Sequence, residues 1–96
     1  MSLLDQKAIN ENMNKLSGSW KYDNNQLELN AVLKDFAENL KVVNKIGEYA
    51  EAMDHHPDIL IHGWNKLKIM ISTHSEGGVT EKDFILAEKI EEVLKG

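Results

Sequence analysis

The sequence predicts one α+β domain over residues 1–96, a four-stranded antiparallel sheet with three helices in the order α-β-β-α-β-β-α. Three observations lead there. Apolar and polar residues alternate from Gln26 to Val32 and again from Leu67 to Ser72, the period-two pattern of half-buried strands. Between them Phe36, Leu40, Val43, Ala50 and Met53 repeat at helical spacing over about five turns. The one proline, Pro57, divides the chain and disfavours helix at the residue before it.

Each element follows from local chemistry. Ser2 with Asp5 three residues on is close to a capping box and opens a first helix. Its stripe is Leu4, Ile9, Met13 and Leu16, and Gly18 ends it. Trp20-Lys21-Tyr22 is a short strand, Asp23-Asn24-Asn25 a turn, and Gln26 to Val32 the second strand. Asp35 and Glu38 form the capping box of the long helix. Gly47 shares that helix's apolar face. Glycine costs roughly 1 kcal/mol inside a helix, so its expected use is close approach to the sheet. Ile59 to His62 and Leu67 to Thr73 are strands around Gly63-Trp64-Asn65-Lys66, a hairpin turn. Leu67, Ile69 and Ile71 point one way, Lys68, Met70 and Ser72 the other. After a loop from His74 to Gly78, Thr80 and Asp83 open a last helix with apolar face Phe84, Ala87, Ile90 and Leu94.

Composition narrows the function classes. Apolar residues form 42% of the chain, enough for one core. A domain this small buries only roughly 60–65% of its extended surface, so association would add stability. With no cysteine, thiolate metal sites, disulfides and thiol nucleophiles are excluded. All 11 basic residues are lysine and the net charge is −5, which argues against a nucleic-acid partner. No apolar run nears the ~20 residues of a membrane span, so no membrane partner is expected. The first residues lack a signal-peptide layout, and the expected location is cytoplasmic.

Three of the four histidines fall at element boundaries: His55 and His56 end the long helix, and His74 follows the last strand. Imidazole titrates near ~6.5, so such a cluster is suited to proton transfer at neutral pH. Plainer readings stand beside this one. Adjacent loop histidines are more often surface residues than catalysts. A metal site drawing on His55, His56, His74 and Asp54 lacks the i, i+4 pairing of a zinc protease, and no metal is expected. Asp83 is a helix cap on its simplest reading, Glu51 the solvent face of its helix, and His62 a polar residue on an exposed strand face. Trp20 and Trp64 are expected to pack, although either could stack on a flat heterocycle.

The joint spacing is more specific. Glu51, three residues, His55-His56-Pro57, six residues, Trp64, nine residues, His74, eight residues, Asp83 closely resembles the signature of the pterin-4a-carbinolamine dehydratases. Asp54-His55-His56-Pro57, Ile71-Ser72-Thr73-His74 and Thr80-Glu81-Lys82-Asp83 are also similar to that family. The resemblance implies dehydration of a 4a-hydroxytetrahydropterin to the quinonoid dihydropterin, in the recycling of tetrahydrobiopterin after aromatic amino acid hydroxylation. It implies no metal or organic cofactor, and assembly into a homodimer or homotetramer. By position, His55, His56 and His74 would carry the proton transfers, with His55 and His74 as the acid/base pair and His56 in support. Pro57 and Asp83 would shape the site, with Glu51, Asp54 and Trp20 at or near the pterin pocket. Thr73 and His74 would offer backbone groups to the pterin edge. Animal members also act as dimerisation partners of a homeodomain transcription factor, so an interaction module of the same fold is the alternative. A pterin enzyme of molybdenum-cofactor metabolism is another.

Overall fold

The computed structural model of the chain describes residues 2–96. Helix α1 (Gln6–Met13) is followed by strands β1 (Trp20–Asp23) and β2 (Gln26–Val32), then by helix α2 (Phe36–Met53). Strands β3 (Asp58–His62) and β4 (Lys66–Ile71), a single 3₁₀ turn (His74–Glu76) and helix α3 (Glu81–Lys95) complete the chain. The expected order and class are therefore observed.

The sheet is wholly antiparallel, in the order β1-β2-β4-β3. Its register carries the alternation across all four strands: Trp20 lies beside Leu29, Leu29 beside Ile69, and Ile69 beside Ile59. These side chains face the helices, where Leu27, Leu67, Ile69 and Ile71 meet Ile46, Leu86 and Ile90 in one core. Each such burial is worth about 1.5–3 kcal/mol, which is what holds a domain of this size together. The other face carries charged residues, with Lys21 and Lys68 both on Glu28 at 3.4 and 3.8 Å, and also exposes Val32 and Leu60. Partial burial works against the charge of Glu28. The hydrogen bond from Asn30 and the two lysines outweigh it and hold the carboxylate below its usual range. Asn24 and Asn25 both take left-handed backbone (φ 51 and 61), the geometry a two-residue hairpin requires and asparagine tolerates.

Four details differ from the sequence expectation. The N-cap of α1 is Asp5, which accepts from Ala8 N–H at 2.8 Å; Ser2 does not open it, because the Leu4 amide is tied to Val79 O at 3.0 Å. In α2 the buried residues are Asn39, Val42, Ile46 and Ala50, whereas Phe36 and Leu40 are 49% and 44% exposed. At 100° per residue the buried face is turned by about 50° from the expected stripe, with Ala50 common to both. The cause is Asn39, whose Nδ2 donates to Lys66 O at 3.0 Å and Trp64 O at 3.4 Å and so turns its own side toward the sheet. Gly47 consequently faces open space, not the sheet. Trp64 does not pack either: it sits at φ 57 on the tip of the β3–β4 turn, 61% exposed.

The rotation of α2 has a measurable consequence. Ile46→Ala should lower the unfolding free energy by about 2–5 kcal/mol in urea denaturation. Leu40→Ala, at concentrations where the chain is monomeric, should cost less than about 1 kcal/mol. The opposite ranking would put the Phe36–Leu40 stripe inside.

Candidate active site

The site forms where the C-terminus of α2, the end of β4 and the N-terminus of α3 meet. Helix α2 is stopped at Asp54, which adopts left-handed backbone (φ 51) while its N–H closes on Ala50 O and Glu51 O. Aspartate is one of the few residues that visit this region without large cost. His55 N–H then bonds Ala50 O at 3.0 Å. This reversal gives two consecutive histidines different surroundings. His55 is buried at 8% exposure, and His56 is exposed.

Asp83 lies in the first turn of α3 and is wholly buried. Its Oδ2 accepts from the Thr80 N–H and from the Thr73 hydroxyl, each at 2.8 Å. Its Oδ1 is 2.6 Å from His55 Nε2. The Thr80 hydroxyl stands 2.8 Å from that of Thr73. The helix cap and the bond to His55 are thus held by the same carboxylate, one oxygen for each. The helix dipoles agree: Asp83 sits at the positive end of α3, and the histidines follow the negative end of α2.

His55 opens onto a cleft of about 310 Å³ shared with His56 and His74. Asp54, Thr73 and Lys82 also line it. Glu51 lies outside the wall but accepts a hydrogen bond from His56 Nε2 at the protein surface. Pro57 is not in the wall; it leads the chain from His56 into β3. Thr73 contributes its side chain. Its N–H is spent on Gly78 O (2.7 Å) and its carbonyl accepts from Glu76 and Gly77, so its backbone offers nothing to a ligand. Trp20 is not brought to the cleft. It is buried in the core at 4% exposure and borders a separate groove of about 380 Å³ beside α3. Neither that groove nor a larger one of about 450 Å³ between α2 and α3 contains a histidine. Among the described residues no three His, Asp or Glu side chains converge as a metal would require.

Two contributors are harder to see in the sequence. Lys82 has no local mark beyond its place before Asp83. The Thr73 hydroxyl does have one: alternation from Leu67, Ile69 and Ile71 carries on to residue 73, and so turns its side chain toward α3.

The chain resembles known proteins along nearly its whole length. The family model for pterin 4 alpha carbinolamine dehydratase matches residues 2–93. A Sulfolobus acidocaldarius protein, provisionally named pterin-4-alpha-carbinolamine dehydratase, is 44% identical over 90 residues, which cover 94% of this chain and 97% of that one. A Sulfurisphaera tokodaii protein of the same provisional name is 39% identical over 94 residues, covering 98% and 99%. A crystal structure of a transcriptional coactivator/pterin dehydratase from Brucella melitensis superposes with a TM-score of 0.88 at 29% identity, covering 94% of this chain and 96% of that one.

The two acidic residues beside histidines should differ sharply in their structural weight. Asp83→Ala removes a helix cap and strands buried donors, at a cost of at least about 2 kcal/mol. Glu51→Gln alters only an exposed pair and should stay within about 0.5 kcal/mol of the parent. Urea denaturation of both variants checks this.

Proposed function

The chain belongs to the pterin 4 alpha carbinolamine dehydratase family, and on that footing we propose that it removes water from a 4a-hydroxytetrahydropterin to give the quinonoid dihydropterin. The reaction needs a proton delivered to the 4a-hydroxyl and another taken from N5. The observation that carries the reading is His55: buried, gripped by Asp83, and open to a cleft that also holds His56 and His74. One imidazolium as acid and one neutral imidazole as base meet both requirements. His55 and His74 form that pair, and His56, braced by Glu51, helps hold the substrate. Among the backbone groups, the His74 N–H remains to meet the pterin edge. The reaction calls for no metal or organic cofactor. In this reading the protein works in the cytoplasm, recycling tetrahydrobiopterin, with neither nucleic acid nor membrane as partner.

The same reading includes assembly into a homodimer or homotetramer. Phe36, Leu40, Val32 and Trp64 are all exposed around the β3–β4 turn, at the opposite end of β4 from the cleft. An apolar patch of this kind on a small domain favours burial against another copy. Edge strand β3, with Leu60 exposed, adds unpaired backbone beside it.

Purified chain should accelerate dehydration of a 4a-hydroxytetrahydropterin above the spontaneous rate, and exhaustive chelation should leave that rate unchanged. His55→Ala and His74→Ala should each lower kcat by about 10²–10⁴-fold, whereas His56→Ala should raise KM more than it lowers kcat. His62→Ala, on exposed β3, is the control. Wild-type turnover in both His55→Ala and His74→Ala would remove the proton-transfer assignment. For assembly, sedimentation should show a species larger than one chain, and Leu40→Glu should shift it toward monomer.

A further inference from the structure

The hydrogen bond between His55 and Asp83 has a direction, and the residues behind it decide that direction. A carboxylate only accepts, so with Asp83 ionised the proton of the 2.6 Å bond belongs to His55 Nε2. On the far side, Asp83 Oδ2 faces the Thr80 N–H and the Thr73 hydroxyl. The Thr73 proton is committed to Asp83, so the 2.8 Å contact between the two hydroxyls is made with the Thr80 proton. Every proton in this buried group then has one place to go. The Thr80 amide is the stiffest member, because a backbone N–H cannot turn into an acceptor. His55 Nδ1 has no partner among the described residues, and the ring lines the cleft.

We propose that Asp83, Thr73 and Thr80 are positioning residues that set the direction of the Asp83–His55 hydrogen bond, so that neutral His55 carries its proton on Nε2 and offers Nδ1 to the cleft as a proton acceptor. This rests on the dehydratase reading only for its chemical consequence. There, His55 takes the base's part: the N5–H bond breaks toward Nδ1 and its electron pair forms the N5–C4a double bond. In the same step the C4a–O bond breaks as His74 protonates the departing hydroxyl, and water leaves. The resulting His55 imidazolium keeps its Nε2 proton on Asp83, so no further proton has to move through the buried group.

The arrangement makes Asp83→Asn an instructive substitution. Two donors converge on the Oδ2 position, so the new amide must place its oxygen there and turn its NH₂ toward His55. His55 Nε2 must then accept, and the proton moves to Nδ1. The wrong nitrogen faces the cleft.

The test is long-range ¹H–¹⁵N correlation of the imidazole nitrogens in the uniformly labelled full chain, recorded above the histidine titration range. The parent should show His55 protonated on Nε2, and Asp83→Asn should show the Nδ1-protonated form. A parent spectrum with the proton on Nδ1, or shared evenly, overturns the proposal, and this measurement does not depend on the variant folding. An Asp83→Asn spectrum matching the parent overturns it as well. In the turnover assay, Asp83→Asn should lose about 10²–10⁴-fold in kcat with little change in KM, the scale of a misdirected histidine. Thr73→Val should lose less, and Thr73→Ser should restore the parent rate. A merely structural Thr73 would give equal rates in Val and Ser variants of equal stability, and that result counts against its positioning role. If the spectra come out as expected while His55→Ala turns over normally, the hydrogen-bond direction stands and His55's part as base falls; if the parent itself shows no turnover above the spontaneous rate, the dehydratase reading falls.

Discussion

Asp83 is the constraint on which this molecule turns. A carboxylate with no exposure to water is costly to bury unless its oxygens are fully engaged. Here the engagement comes from three separate parts of the chain: the Thr80 amide at the start of α3, the Thr73 hydroxyl at the end of β4, and His55 just beyond α2. One side chain therefore caps a helix, fixes where two elements end and holds the histidine that opens onto the cleft. Stability and site geometry are one interaction, and the position cannot be altered for one purpose without the other.

The histidine pair shows how a single backbone dihedral divides two roles. Left-handed Asp54 ends α2 so abruptly that His55 is buried while His56 is left exposed on the rim of the same cleft. The first is locked by a buried partner. The second is tied to Glu51 at the surface, where water screens the pair and its worth is small. A neighbour in the chain is thus a stranger in its surroundings.

Strand β4 places the remaining features. Its last residues lead into the cleft, while its first lie beside the β3–β4 turn that Asn39 pins to α2. That pinning rotates the helix and leaves Phe36 and Leu40 outside. The exposed apolar patch and the histidine cleft are therefore at opposite ends of the same strand.

By itself the sequence determined the class, the order of the elements, the alternating faces of β2 and β4 and the residues of the histidine cluster. These follow from short-range physics: period-two alternation, capping chemistry, and the break that Pro57 imposes. It also marked Asp83, although only as a choice between a cap and something more. Tertiary structure decided the rest. Periodicity showed that α2 has an apolar stripe, but a buried polar anchor, Asn39, chose which side of the helix met the sheet. Trp20 resembles a pocket residue by position, yet its register with Leu29 commits it to the core. The two oxygens of Asp83 meet partners from residues 55, 73 and 80, and their directions depend on how three elements converge, which no local pattern in a linear chain records.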